Sequence, residues 1–522
     1  MITKIDHKII VCTLIMALMS YILTGCNRNV PDDNYRNYYE IFVGSFYDSD
    51  EDGIGDLKGI CEKIDYIEDL GCNGIWLTPI MPSPTYHKYD VIDYCAIDSS
   101  LGCIDDFDKL VKKCHKSGIR LIIDMVVNHT SSEHPWFLQA AEYLRSLPSG
   151  AEYDSNECPY VEYYHFTKED KGTGWCKLSG TDYYYECNFW EKMPDLNLAN
   201  NQVMDELFQV FDFWLEHGVD GFRMDASLHY EENDDEFNCQ ILDEIYRYCK
   251  KINPEFYMVS EVWAGESTIA SYYESGTPSM FNFAAADAEG RLIKTARGTA
   301  KAQKFAEAMV NWQTEFGKIN PDYIDAVFLS NHDMSRVANA LVSNSDDIKF
   351  AGGLLSTLSG NTFIYYGEEI GMKSSGQRDE NKRLPMHWSD SDLSGIPLPY
   401  EGADKDIEQT FSGVDVQLKD TSSILSYYKE AYNLRLKYPQ IARGKVSIVT
   451  ECTNGNQAVI CKVYKDSYIY IAYNTSDEIV TIDLSGLDIE GQVCGSLCVN
   501  MKENTLSNGQ LTMQPKSISY FE

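Results

Sequence analysis

From residue 39 onward, short apolar runs alternate with stretches of helical period. The runs are YEIFVGSF (39–46), GIWLTPI (74–80), RLIIDMVVNH (120–129), VDGFRMDA (219–226), FYMVSEVW (256–263), MFNF (280–283), DAVFLSNHD (325–333) and TFIYYGEE (362–369). They are apolar over most of their length, as strands buried on both faces are. Between them lie LKGICEKIDYIEDL, IDDFDKLVKKCHK, NQVMDELFQVFDFWLEH and DDEFNCQILDEIYRYCKK, whose apolar positions recur at three and four residues. Strands alternating with helices predict a parallel sheet, and eight strands predict an α/β (β/α)8 TIM barrel with insertions. A doubly wound open sheet is the alternative, but no GxGxxG marks the first strand–helix turn.

Two segments break the alternation. Residues 130–192, after the third strand, are rich in Tyr, Gly and Cys with little helical period, which predicts a small irregular inserted domain. The barrel is therefore expected over 39–129 and 193–430. Beyond it KVSIVTE, AVICKVY, YIYIAYN and IVTIDLS alternate apolar and polar residues, and Asn454-Gly455 supplies a hairpin-type turn. Residues 431–522 thus read as an antiparallel β-sandwich domain.

The first residues follow another pattern. Lys4 and Lys8 precede the apolar run Ile9–Leu23, which is too short and too early for a spanning helix. It ends in Leu23-Thr24-Gly25-Cys26, which resembles the bacterial lipobox, whose Cys becomes the lipidated first residue of the mature chain. This implies a signal peptide over 1–25, a lipid on Cys26, a polar tether over 26–38 and an exported, membrane-anchored protein. An ordinary signal peptide or a short anchor is the alternative.

The 522 residues carry a formal net charge of −36, which disfavours nucleic acid as a partner and leaves carboxylates for Ca²⁺. Of 16 cysteines, 14 remain after Cys12 and Cys26. No CxxC or Cys/His zinc spacing is present, and no disulfide pairing follows from the spacing.

Candidate chemistry sits where polar residues interrupt the ends of apolar strands, because barrel enzymes place catalysis there. Asp124 and Asn128-His129 end strand three, Arg223 and Asp225 strand four, Glu261 strand five, and His332-Asp333 strand seven. Paired carboxyls on such a rim suit glycoside hydrolysis. Arg223, two residues before Asp225, shares its face of the strand and would keep it ionised. Glu261 has no basic sequence neighbour, as befits a carboxyl kept protonated.

DMVVNH (124–129), GFRMDASLH (221–229), Glu261 in VSEVW and FLSNHD (328–333) resemble, in order and spacing, the four short regions of the α-amylase family of glycoside hydrolases, family 13. MPDLN (193–197) is similar to a fifth region, in the form intermediate between oligo-1,6-glucosidases and neopullulanases. YHKYDVIDY, YYGEEIGM and RLPMHW also fit. The resemblance implies a retaining mechanism with Asp225 as nucleophile, Glu261 as acid/base and Asp333 as transition-state stabiliser. His87, Tyr89, His129, Arg223 and His332 would line the sugar subsite at the scissile bond, and His229 the leaving-group side. Ala226 is similar to members acting on α-1,4 bonds, whereas Leu228 replaces a common Lys.

The stretch YDSDEDGIGD (47–56) begins like an EF-hand, but its twelfth position is Gly59 rather than Glu and strand-like residues precede it. Asp48, Asp50, Asp52, the Ile54 carbonyl and Asp56 still offer oxygens at alternating positions. A similar loop holds structural Ca²⁺ in amylase relatives. A solvated turn with Asp56 capping the next helix is the bland alternative.

The expected function is an endo-acting α-amylase, monomeric, cleaving α-1,4 bonds of starch and maltodextrins. An exo-acting α-glucosidase or oligo-1,6-glucosidase, a transglycosylase of the same family, and a non-catalytic glycan-binding protein are the alternatives.

Overall fold

The computed structural model describes residues 33–522 apart from 377, 405, 406, 488, 490 and 491. The signal peptide, Cys26 and most of the tether lie outside the described residues. Among those described, no helix is long and apolar enough to cross a membrane.

Eight parallel strands form the barrel: β1 (Asn37–Ile41), β2 (Gly74–Leu77), β3 (Arg120–Met125), β4 (Gly221–Met224), β5 (Tyr257–Ser260), β6 (Ser279–Met280), β7 (Ala326–Phe328) and β8 (Asn361–Tyr365). They hydrogen-bond in the order β7-β8-β1-β2-β3-β4-β5-β6. A parallel bridge between Phe281 and Ala326 closes the ring. Each overlaps one of the apolar runs read from the sequence, although the first, sixth and eighth begin one or two residues earlier and β6 is shorter than MFNF suggests. Its next residue, Phe281, instead turns to Trp76 and Phe363, at ring centroids 5.4 and 4.9 Å, and fills the barrel with them.

The main crossover helices are α1 (Leu57–Leu70), α2 (Ile104–Lys116), α3 (Asn201–Glu216), α4 (Asp235–Ile252), α5 (Ala302–Ile319), α6 (Ser345–Ser356) and α7 (Ile424–Lys437). In α1 the helical spacing puts Leu57, Ile60, Ile64, Ile67 and Leu70 on one buried stripe. Asp56 starts it by accepting the Gly59 N–H, and Gly71 stops it at φ 94°. The boundary expected at 430 falls inside α7, whose Tyr428 and Tyr432 are buried. The C-terminal strands begin at Lys445.

The insertion is more regular than its composition suggests. Pro135–Ser146 is a helix with Pro at its start, capped by His134, and it buries Phe137, Ala140, Ala141 and Leu144. That spacing is helical, but the surrounding aromatic and Gly-rich residues mask it. Three short strands (Phe166–Thr167, Trp175–Lys177 and Tyr184–Glu186) make a sheet. A disulfide joins Cys176 to Cys187 beside it. Tyr183 and Tyr185 are buried here as core.

The C-terminal domain contains β9 (Lys445–Ile448), β10 (Gln457–Tyr464), β11 (Ser467–Asn474), β12 (Val480–Asp483), β13 (Val493–Cys498), β14 (Thr505–Ser507), β15 (Gln510–Met513) and β16 (Ser517–Phe521). Its sheets run β9-β10-β11-β16-β13 and β12-β15-β14, all antiparallel. Between them Val459, Ala472, Leu511 and Met513 form a core. Lys462 ties this domain to the barrel, donating to the Thr357 carbonyl (2.7 Å), Ser359 Oγ (2.9 Å) and the Ile441 carbonyl (2.6 Å).

Candidate active site

Strand register sets the first contacts. Asp124 and Arg223 are direct partners across β3 and β4, so their side chains emerge together at the strand ends. Arg223 Nη1 lies 2.8 Å from Asp124 Oδ1 and 2.5 Å from Asp225 Oδ1, while its Nη2 lies 2.9 Å from Glu261 Oε2. One guanidinium therefore bridges three carboxylates, using the planar fork that lysine lacks. Arg223 does stand beside Asp225 as its sequence position predicts. It also stands beside Glu261, so the absence of a basic sequence neighbour did not translate into the absence of one in space.

Each of the two central carboxylates is held by one oxygen. Glu261 Oε2 also accepts the Ala226 N–H at 3.0 Å. Asp225 Oδ2 and Glu261 Oε1 have no protein hydrogen-bond partner among the described residues, although both side chains are nine-tenths buried. Burial pushes both carboxyls above their ordinary range, against the opposing pull of Arg223. Asp124 is driven the same way, to about 7.

Asp333 is the opposite case. Burial would raise it, but His332, Arg383 and Arg223 outweigh burial and hold its carboxyl far below the usual range. Its Oδ1 lies 2.6 Å from Arg383 Nη2 and its Oδ2 3.0 Å from His332 Nε2. His332 Nδ1 lies 2.6 Å from Glu40 Oε1. Burial disfavours charge on this ring, yet Asp333 and Glu40 raise it to about 10. Tyr89 Oη reaches His332 Nε2 (2.6 Å) and donates to Asp124 Oδ2 (3.0 Å), with its ring parallel to the His332 ring. Tyr89 is thus braced by protein while remaining on the cavity wall.

These groups surround a cavity of about 360 Å³. Asp225, Glu261, Asp333 and His129, read from the strand ends, line it together with His87, Tyr89 and His229, which the family resemblance implied. Arg223 and His332 stand behind that wall. Burial lowers His87 and His129 to about 4, so both rings are neutral at pH 7 and available to sugar hydroxyls. Nε2 of His129 is buried with no protein partner among the described residues. His229 is held by Glu232 at 2.6 Å.

Several contributors were missed in the sequence. Glu40 and Trp76 lie inside apolar runs, where alternation gives no sign that they reach the site; Trp76 Nε1 donates to Asp124 Oδ2 at 3.3 Å. Arg383, within RLPMHW, carried a motif signal but no assigned role. The aromatic residues at the cavity mouth are Phe189 and Trp263, each about half exposed. Phe189 packs on the His129 and His229 rings at centroids 5.4 and 5.2 Å, and Trp263 stacks on Phe283 at 5.1 Å.

On the loop after β1, Asp48, Asp50 and Asp56 bring carboxylate oxygens within 4.8 Å of one another. Oxygens on opposite sides of Ca²⁺, each at 2.3–2.6 Å, stand about 5 Å apart, so this donor set fits the ion. Asp52 instead accepts the Ile54 N–H at 2.8 Å. Gly53 turns the chain at φ 96°, and a Cβ on Gly55 would meet the Val43 carbonyl at 2.4 Å. Asp56 caps α1, as the bland alternative has it, and also belongs to the acidic cluster.

The alpha-amylase catalytic-domain family model matches residues 40–444. The chain belongs to the alpha-amylase family. It is 40% identical to Alpha-amylase 3 of Dictyoglomus thermophilum over 79% of each chain. It is 32% identical to Glucan 1,6-alpha-glucosidase of Streptococcus pneumoniae over 88% of this chain and 94% of that one. The solved structure of Eubacterium rectale Amy13B superposes with a TM-score of 0.91 at 42% identity, covering 94% of this chain and 96% of that one. This family membership makes the protein a glycoside hydrolase.

Proposed function

We propose that the protein is a retaining, endo-acting α-amylase that hydrolyses α-1,4 bonds of starch and maltodextrins. The observation that carries the chemistry is the one-sided anchoring of Asp225 and Glu261. Arg223 fixes one oxygen of each and leaves the other without a protein partner among the described residues. Asp225 Oδ2 attacks the anomeric carbon as Glu261 Oε1 delivers its proton to the leaving glycosidic oxygen. Glu261, now ionised, takes a proton from water as that water opens the glycosyl–Asp225 ester. Burial raises Glu261 in the direction an acid needs; it raises Asp225 as well, and there the charge and hydrogen bond of Arg223 oppose it. The strongly ionised Asp333 places a fixed negative charge beside the developing oxocarbenium, and Arg383 keeps it in position.

The endo reading is supported by aromatic residues at the mouth. Phe189 and Trp263 offer half-exposed faces beyond the carboxylates, where further sugar rings of a chain would lie. Similarity to Alpha-amylase 3 supports α-1,4 cleavage, and similarity to a glucan 1,6-alpha-glucosidase supports the exo-acting, α-1,6 reading as the second possibility. Time-resolved products on amylose, pullulan and isomaltose separate them: mixed maltosaccharides from amylose are expected, and glucose as the sole early product overturns endo action. Asp225→Asn is expected to abolish hydrolysis without unfolding the protein, and retained activity removes Asp225 as nucleophile.

Ca²⁺ held by Asp48, Asp50 and Asp56 would act as a clip on the loop between β1 and α1, supplying structure and no chemistry. Export and anchoring through Cys26 complete the proposal. Lipid label should enter the wild-type chain and be lost in Cys26→Ala; equal labelling refutes the anchor.

A further inference from the structure

The chain enters the barrel at its N-terminal face. Ahead of β1, the Arg36 N–H donates to Asn361 Oδ1 at 2.7 Å and Asn361 Nδ2 donates to the Asn34 carbonyl at 3.0 Å, which pins the entering segment to the start of β8. The carboxylates of the cleft follow the opposite ends of the strands. Crossover helices run back against the strands they serve, so their C-terminal ends lie at the entry face too.

Two of those ends carry nearly the same sequence. α4 finishes in KINPEF (251–256) and α5 in KINPDY (318–323). Asn253 and Asn320 cap them in one conformation, at φ −121° and −124°, and a proline follows each. Both leave an isoleucine in solvent: Ile252 is 47% exposed and Ile319 37%. The ends are neighbours, since the charge of Asp322 reaches the Tyr246 hydroxyl of α4. Beside them lies a cavity of about 440 Å³ whose lining includes Tyr35, Lys318, Tyr323, Arg443 and Lys445. Arg443 sits over the Tyr35 ring at 4.9 Å. The entry point, an isoleucine-bearing helix end and three cations thus share one surface.

The charge here runs against that of the chain. Segments 247–255, 317–323 and 435–445 bring seven Lys and Arg to the surface against two acids, Glu255 and Asp322, whereas acids outnumber bases by 80 to 44 overall. Glu315 adds a third acid, paired with Lys318 at 2.7 Å. The ends of α1 and α3 are acidic, with Glu68, Asp69 and Glu216 exposed, so the cationic arc keeps to the side of the face from β5 to β8. Helix dipoles favour lysine at helix C-termini, and that accounts for Lys251, Lys318 and Lys437. It accounts neither for Lys445, in β9, nor for two isoleucines in solvent at the same ends. Cations interspersed with exposed aliphatic side chains are the composition of a surface that lies on lipid.

We propose that this arc of the N-terminal face docks on an anionic phospholipid bilayer, the lysines and Arg443 meeting lipid phosphates and Ile252 and Ile319 entering the headgroup layer. The inference rests on the reading of Cys26 as a lipid anchor. Asn34 is eight positions from Cys26. Fully extended, that tether spans about 28 Å, so it keeps the entry face close to the membrane. An anionic bilayer attracts the arc and repels the rest of a chain of net charge −36, which turns the cleft outward to polymer in solution.

The test places the lipidated full chain on vesicles of phosphatidylcholine alone or mixed with phosphatidylglycerol, and follows acetylation of each lysine by a water-soluble reagent. Lys251, Lys318 and Lys445 should react about threefold more slowly on the phosphatidylglycerol vesicles, and about 0.5 M salt should remove the difference. Lys171 and Lys192, exposed on the insertion, should react alike on both. Lys318→Glu combined with Ile319→Gln should abolish most of the difference at Lys251 and Lys445 and leave hydrolysis of a soluble maltotrioside unchanged. Equal rates on both vesicles with lipid present on Cys26 overturn the surface, as does wild-type protection in the double variant. Slowing that grows with protein density on phosphatidylcholine alone also overturns it, since a second copy of the chain then covers the face. A chain without lipid on Cys26 is a separate outcome that defeats the anchor, and the surface with it.

Discussion

Glu40 accepts the Nδ1–H of His332 at 2.6 Å, joining the first barrel strand to the end of the seventh across 292 positions of chain. The other ring nitrogen meets Asp333 at 3.0 Å. With a carboxylate at each nitrogen, His332 is an imidazolium despite its complete burial, and its raised value of about 10 reflects that. Because the folded value lies above the unfolded one, the charge contributes fully to stability below about pH 6.5 and is lost as pH rises toward 10.

Replacing Glu40 by Gln removes one of the two anions. His332 should then lose its proton at lower pH, and Asp333 should lose part of the charge that holds it in place. The alkaline limb of kcat/KM is expected to move down by about one pH unit. The Tm should fall more at pH 9 than at pH 6. Profiles of rate and melting temperature against pH test this, and an unmoved alkaline limb contradicts it.

Ala226 occupies a left-handed conformation, φ 49°, directly after Asp225, while its N–H holds Glu261 Oε2. A β-branched side chain is strained there by about 1–3 kcal/mol. Ala226→Val should therefore shift the N–H that positions Glu261 and lower kcat roughly tenfold or more, whereas Ala226→Gly should keep kcat close to wild type. Equal kcat in the Val variant would show that this backbone contact does not position the acid/base.

Legibility in the sequence followed sequence distance. The eight strands were readable because each is a buried apolar run between amphipathic helices. Asp225, Glu261 and Asp333 stood out because a carboxylate at the end of such a run has no local reason to be there. The bridge from Arg223 to Glu261 and the pairing of Glu40 with His332 depend on which strands close the ring, information that no local window holds. The Cys176–Cys187 bond was equally hidden, since many pairings of the cysteines are consistent with one sequence.

Directly before β7, Asp325 is buried with Oδ1 unpartnered among the described residues, and burial raises it to about 7. An acid raised on folding holds its proton in the native state after the unfolded chain has released it. Between about pH 4 and pH 7 it therefore makes stability fall with rising pH, by about 1.4 kcal/mol per unit. Asp325→Asn keeps the shape and removes the titration. Melting curves across this range should show the variant gaining on wild type as pH rises; parallel curves would show that Asp325 does not titrate on folding.

Asp50 is the exposed member of the acidic trio, and its carboxylate makes no hydrogen bond that the loop depends on among the described residues. Asp50→Ala should therefore remove a metal ligand and little else. In wild type, Ca²⁺ at a hundred times its dissociation constant would add about 2.7 kcal/mol, seen as a rise in Tm that chelator reverses. In the variant most of that rise should disappear, while the chelated proteins melt together. An identical Ca²⁺ response in both rules out the clip.

The disulfide bears on the cleft through three successive residues. Cys187 is bonded to Cys176; Asn188 donates from N and Nδ2 to Asp195 Oδ2 at 3.0 and 2.7 Å; Phe189 then lies against His129 and His229. Closing a loop of 11 positions constrains the unfolded segment by about 2–3 kcal/mol, so losing the bond should loosen the stretch that carries Phe189 without touching the carboxylates. Cys176→Ser, or treatment with a dithiol reductant, should raise KM for maltosaccharides several-fold and leave kcat nearly unchanged. The same change should expose the insertion to proteolysis before the barrel. A fall in kcat at constant KM would place the influence of the disulfide on the catalytic carboxylates rather than on the aromatic rim.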